Sequence, residues 1–376
     1  MRRSIVLATA LAALCVVQPG VAGADPTPPA PPALDVTPVL TDLSHPWDVV
    51  RAPDGAVLTG ERSGRVVVRR PDGTVGDVGI DRTGFYAESE TGQMGLSLSP
   101  NFAADRTLYS CEGHQDAAGR DIRVVARKVD AGWTALTDRR NVVTGIPVGQ
   151  GGRHGGCRVL AAADGTLYVG TGDTASPNAP QDRRSFAGKV LHINADGTPA
   201  AGNPDPASPI FTLGHRNAQG LAVQPGSGRI YDIEQGTKVD DEVNLLVPGG
   251  NYGYSPNRFP FIYDESVPMT DPIRVPGARE AVWRSGSPTL ATPGGTFVTG
   301  PGWGEWSESL AVATQQGKKL LLLKLGPDGT SVAAQTAVLD NQYGRLRSVT
   351  AVGDGSLLVT TDNGKGDQVL RVAPKG

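Results

Sequence analysis

Of the 376 residues, 50 are glycine and 30 are proline, which excludes a mainly helical protein and leaves short strands joined by turns. The formal net charge of −3, with no basic tract, gives no footing to a nucleic-acid partner. The length allows one large β domain or two ordinary ones.

The chain opens MRRSIVLATALAALCVVQPGVAGADP, with Arg2 and Arg3 before an apolar run from Ile5 to Val17 and Ala22-Gly23-Ala24 at its end. That order reads as a secretory signal over residues 1–24. Its apolar run is too short to span a bilayer comfortably, so no integral membrane span is expected. The expectation is a secreted or extracytoplasmic protein, with Sec and twin-arginine export both open. Residues 25–36 include PTPPAPPALD, too rich in proline to pack, and read as an extended tether. The fold is left to residues 37–376.

Loss of the signal removes Cys15 and leaves Cys111 and Cys157. An even pair in an exported chain favours a disulfide, with a reactive thiol as the alternative. Closing that loop would stabilise the fold by about 4 kcal/mol in the chain-entropy model. It would also pin the stretch GGRHGGCRVL, which holds His154, to the repeat before it.

A turn followed by a short apolar run recurs along the chain. It reads APDGAVLTGE (52–61), SPNFAADRTLYSC (99–111), AADGTLYVGTGD (162–173), QPGSGRIYDIE (224–234), TPGGTFVTG (292–300) and GDGSLLVTTD (353–362). The Asp-Gly and Gly-Ser pairs are hairpin turns, and the residues after them alternate like half-buried strands. The period of roughly 50–70 residues suits a propeller blade, although sandwiches also have many short strands. Six copies predict an all-β chain, a six-bladed β-propeller of four-stranded antiparallel blades. A propeller gathers its loops at one end of a central channel, where chemistry is expected.

Those loops are distinctive. In order they read LSHPWDVVRAPDG, GERSGRVVV, GQMGLSLSPNF, RHGGCRVLAAADGTLYVGTGD, LGHRNAQGLAVQP, DDEVNLLVPGGNYGYS and GRLRSVTAVGDGSLLVTTDNG. From about Leu43 to Leu370 the chain resembles the PQQ-dependent soluble aldose sugar dehydrogenases, the glucose/sorbosone dehydrogenase family. The resemblance implies an exported quinoprotein that oxidises the C1 hydroxyl of an aldose to a lactone, using pyrroloquinoline quinone (PQQ) and calcium. A separate electron acceptor is implied too, because the chain has no c-type haem motif.

The residue types suit that chemistry. Hydride leaves an alkoxide far more readily than an alcohol, so the reaction needs a base, and a neutral imidazole serves near pH 7. His154, four residues before Arg158, matches the family's catalytic histidine; a histidine satisfying a turn is the structural alternative. The glycines around it would let a cofactor and a sugar approach the ring. Arg216 in LGHRNAQG matches the arginine beside the quinone oxygen, where a fixed cation lowers the barrier, and Asn217 matches a cofactor contact. Arg345 and Arg347 alternate along a strand, so they face one way, and match arginines that pair with cofactor carboxylates. Gly236 and Thr237 match the two carbonyl ligands of the catalytic calcium. Glu242 and the Tyr252 carbonyl match a structural one. Asp240, Asp241 and Glu242 would equally make an acidic exposed turn.

Departures from the family pattern crowd into the site. Gln316 stands for a cofactor lysine, Glu90 for a glutamine near the sugar, Thr237 for a proline and Tyr254 for a tryptophan near the sugar. Arg153 replaces an acid just before the histidine, where its charge opposes protonation of the ring. These changes keep open a calcium-stabilised propeller that binds a glycan or peptide without redox chemistry. A propeller lactonase fits less well, because the arginine set supplies no carboxylate-lined calcium.

Overall fold

The Asp-Gly-Thr turns of the repeat close on themselves in one way. Asp164 Oδ1 accepts from the Thr166 amide at 2.9 Å and its hydroxyl at 2.7 Å; Asp72–Thr74 repeats this, and Asp328 takes the Thr330 amide on Oδ1 and the hydroxyl on Oδ2. Gly165 sits there at φ 88°, a conformation a side chain would strain. Each turn throws the chain back as an antiparallel neighbour, and six sheets result.

A computed structural model describes residues 28–259 and 261–375; the predicted signal, 1–24, lies outside them. The sheets are six blades around an axis. Their innermost strands are Pro46–Arg51, Gln93–Leu98, Gly156–Ala161, Ala218–Val223, Gly294–Phe297 and Leu346–Ala351, each beside the next. The protein is a six-bladed β-propeller of four-stranded antiparallel blades, with a fifth, parallel strand (Gly79–Ile80) on blade 2. Blade 6 is completed by the N-terminal strand Leu34–Leu43, which pairs antiparallel with Asp367–Pro374 and closes the ring.

Two expectations change here. The tether was expected through residue 36, but Leu34, Asp35 and Val36 already pair with the last strand, and Trp306 Nε1 donates to the Ala30 carbonyl at 3.0 Å. Strand-edge hydrogen bonding outweighs the proline-rich composition before it. The repeat at 292–300 was expected to turn near residue 294, but Gly294 and Gly295 begin the innermost strand of blade 5. A Cβ on Gly295 would lie 2.6 Å from the Ala311 carbonyl, so glycine serves close packing there.

The core is divided among the joints between blades. Among the described residues, six apolar clusters lie where neighbouring blades meet; Val49, Val57 and Val67 of blade 1 meet Leu40, Val352, Leu358 and Val369 of blade 6. Cys111 of blade 2 and Cys157 of blade 3 form the expected disulfide inside one such joint. On the innermost strand of blade 1, the Trp47 ring carries the Arg158 and Arg347 guanidinium groups over it, at 4.7 and 5.4 Å from its centroid. One insertion departs from the blade plan. Residues 246–282, between the third and fourth strands of blade 4, carry the hairpin Asn257–Phe259 and Ile262–Tyr263 over the channel mouth.

Candidate active site

His154 ends the loop into the innermost strand of blade 3, with φ 48° and 3 % exposure. Left-handed backbone at a buried non-glycine residue costs on the order of 1 kcal/mol and persists only where surroundings enforce it. They do so here. A Cβ on Gly172 would lie 1.7 Å from the His154 carbonyl, and one on Gly152 would lie 1.9 Å from the Glu88 carbonyl. These glycines admit neighbouring backbone, whereas the sequence suggested room for ligands.

The ring is held from both sides. Asp173 Oδ1 lies 2.8 Å from Nδ1, and Asp173 is fully buried, so Nδ1 carries the proton and Nε2 keeps its lone pair. Arg216 Nη2 donates to Nε2 at 3.0 Å. Asp173 Oδ2 accepts from the Tyr263 hydroxyl at 2.7 Å, and Tyr263 accepts in turn from Tyr254 at 2.9 Å. Burial and the charge of Asp173 push both phenols well above their ordinary range, so they act as neutral donors. Glu90 Oε2 receives the His154 amide at 3.1 Å and Asn217 Nδ2 at 3.3 Å.

Arg216 is fixed as firmly. Its amide donates to Glu234 Oε2 at 2.7 Å, Nη1 to the Gln235 carbonyl at 3.0 Å and Nη2 to Glu265 Oε1 at 3.1 Å. Glu265 also takes Arg153 Nη2 at 2.9 Å, so the charge of Arg153 is matched by this acid from the insertion. Burial raises the Glu265 carboxyl, but Arg216 and Arg153 outweigh it and hold the group below its ordinary range.

A cleft of about 160 Å³ lies at this corner, lined by Glu90, His154, Arg216, Gln235, Thr237 and Gln316. Beside it, Arg153, Thr174, Tyr263 and Glu265 line a wider recess of about 400 Å³. The structure brings His154, Arg216, Asn217, Glu90 and Gln316, all named from the sequence, around one point. Asp173, Tyr263 and Glu265 were missed. Asp173 ends the repeat string YVGTGD, a signal available in the sequence, whereas the insertion follows no repeat.

The family match spans nearly the whole propeller. Residues 43–371 match the family model described as Glucose / Sorbosone dehydrogenase. The chain belongs to this family. The PQQ-bound aldose sugar dehydrogenase of Streptomyces coelicolor superposes with a TM-score of 0.78 at 30 % identity, over 92 % of this chain and 99 % of that one. The aldose sugar dehydrogenase YliI of Escherichia coli is 26 % identical over 92 % of this chain and 94 % of its own. Quinoprotein glucose dehydrogenase B of Acinetobacter calcoaceticus is 28 % identical over 57 % of this chain and 51 % of its own. The chain is thus a sugar dehydrogenase, an oxidoreductase, and the non-redox binding module is set aside.

Other expected site residues of this dehydrogenase sit differently. Tyr254 is fully buried, and Tyr263 stands between it and His154, so it supports the site from behind. Arg347 pairs with Asp362 at 2.8 Å and donates to Gln219 Oε1 at 3.2 Å, while Arg345 Nε donates to the Asp362 carbonyl at 3.1 Å. Arg345 precedes its strand and a bulge follows Leu346, so plain alternation fails; the two arginines meet at Asp362 instead. Gln315 ties that acid, through Gln235, to the cleft.

Both calcium positions fit a cation. No described backbone amide donates to the Gly236 or Thr237 carbonyl, and the buried Thr237 hydroxyl has no partner, so this corner fits a cation. The acidic turn is not exposed: Asp241 and Glu242 are buried. Glu242 Oε1 already receives Thr270 at 3.0 Å and Arg284 at 3.2 Å. Its Oε2 is buried without a partner and no described backbone amide donates to the Tyr252 carbonyl, so Glu242 with that carbonyl also fits a cation, with Arg284 sharing the carboxylate from the Oε1 side.

Proposed function

We propose that this dehydrogenase oxidises the C1 hydroxyl of an aldose to the lactone with PQQ as oxidant, outside the cytoplasm, passing electrons to a separate acceptor. The observation that carries the reading is the tautomer of His154: a carboxylate on Nδ1 leaves the lone pair on Nε2, which Arg216 holds beside the cleft. The export signal and the disulfide support the extracytoplasmic part.

Bound PQQ would supply the two-electron acceptor, with Arg216, Asn217, Gln235 and Gln316 around it and Arg345 and Arg347 as candidates for its carboxylates. Calcium at Gly236 and Thr237 would add Lewis-acid polarisation. The protein's own steps concern the sugar proton. Nε2 of His154 accepts it from the anomeric hydroxyl once Arg216 turns from the ring towards the cleft. Asp173 steadies the resulting imidazolium, and Tyr263 keeps Asp173 oriented. Glu90, Glu265 and Arg153 offer hydrogen-bonding groups to the ring hydroxyls from the two recesses.

The test is a titration of the mature protein with PQQ, with and without calcium, followed by anaerobic addition of aldoses. Calcium-dependent binding and sugar-dependent bleaching are expected, with bleaching lost and binding kept in His154→Ala. Failure to bind PQQ with calcium in excess would overturn the reading.

A further inference from the structure

Behind Arg216, blade 4 holds a second cluster that the oxidation does not use. Its strands Ile230–Glu234 and Glu242–Leu245 pair with Asp232 opposite Asn244 and Glu234 opposite Glu242, so these four side chains share one face. The His215 ring packs on that face. His215, Asp232, Glu234 and Asn244 are each 1 % exposed or less.

The hydrogen bonds there do not close. His215 Nδ1 bonds Glu234 Oε1 at 3.2 Å and lies 3.1 Å from Asp232 Oδ2, but one N–H points along only one of these directions. Neither oxygen of Asp232 has a hydrogen-bond partner. The carbonyl oxygen of Asn244 has none either, while its amide donates to Glu234 Oε1 at 2.9 Å. Rotating that amide would serve Asp232 only by stripping Glu234. Every orphan is an acceptor, so the missing partner is a hydrogen-bond donor or a cation. Two buried carboxylates with one imidazolium would still leave a net negative charge without water, a costly state.

The nitrogen and carboxylate oxygens of His215, Asp232 and Glu234 all lie within 4.8 Å of one another. The 3.1 and 3.2 Å nitrogen–oxygen separations approach the edge of about 3.3 Å for a tetrahedron with metal bonds of about 2.0–2.1 Å. His215 Nε2 lies 2.9 Å from Thr212 Oγ1; as the donor there, it would free the Nδ1 lone pair. We propose that His215, Asp232, Glu234 and Asn244 bind one buried divalent transition-metal ion, of the zinc or manganese class. One nitrogen with carboxylate and amide oxygens suits such ions better than an all-oxygen cation such as calcium. Two carboxylates and a divalent ion make the site neutral. Glu234 Oε2 holds the Arg216 amide, so the ion fixes the turn that aims Arg216 at His154. Glu242, held through Oε1 by Thr270 and Arg284, is not among the proposed ligands, and the site does not depend on the quinone reading.

Elemental analysis of tag-free mature protein, grown with zinc and manganese and dialysed against metal-free buffer, tests this directly. About one zinc or manganese per chain is expected, falling below a tenth in Asp232→Asn and unchanged in Glu242→Gln. Stripping with a strong chelator should lower Tm by several degrees, and added zinc should restore it. A metal-free folded wild type overturns the proposal and leaves a proton on Asp232 in the ion's place. Metal retained in Asp232→Asn, or lost in Glu242→Gln, overturns it too. If Asp232→Asn does not fold, X-ray absorption at the metal edge of the wild type decides: one nitrogen among oxygens is expected, and an all-oxygen shell would sink the assignment.

Discussion

The His154 corner and the arginine pair of blade 6 were drawn from motifs of similar quality, yet they fold to different ends. At His154 the partners are a carboxylate at the end of the neighbouring strand of the same blade and an arginine from the loop into the next blade, and they hold the two ring nitrogens. At Arg347 the partner is Asp362, an acid of its own blade that already matches its charge. A motif gives a residue its neighbours in sequence. Whether its charge is free for a ligand depends on which counter-charge the fold delivers.

The sharpest break in that comparison is His154→Ala, which should lower kcat by about a thousandfold and leave the PQQ Kd within about twofold. Asp173→Asn should follow, at about a hundredfold in kcat, because a carboxamide no longer fixes the proton on Nδ1; a shifted pH–rate profile separates this from misfolding. Replacing both Cys111 and Cys157 by serine should cost about 4 kcal/mol in denaturant unfolding while sparing the chemistry of the folded fraction. Blade 6 should answer to acid. Burial raises the Asp362 carboxyl, but Arg347 and His45 outweigh it and hold the group below its ordinary 3.8. Because the folded value is the depressed one, its stabilisation is complete above that pH and is lost as pH falls through the folded value. Asp362→Asn should therefore flatten the acid limb of the stability curve. The smallest effect is expected from Tyr263→Phe, a loss of about threefold in kcat as Asp173 loses one donor.

Much of this was legible beforehand. Asp-Gly turns, alternation and the repeat period gave the propeller, because turn chemistry and strand pairing act over a few residues. His154, Arg216, Asn217 and Glu90 were legible because each sits in a short contiguous motif that resembles the family's, and a motif survives in sequence where long-range pairing does not. Tyr254 misled because it lies in the right loop but points behind Tyr263, and an insertion with no repeat supplied that residue. Arg284 was invisible as the counter-ion of Glu242 for the same reason: it pairs with that strand across the insertion.

By itself the sequence determined the blade count, the disulfide partners and the loops that hold the reacting groups, since all of these rest on local pattern and covalent chemistry. Only the tertiary structure decided which charges are already matched. Glu265 on Arg216, Asp362 on Arg347 and Arg284 on Glu242 are pairings at long or irregular separations, and electrostatic energy depends on distance in space and burial rather than on order along the chain.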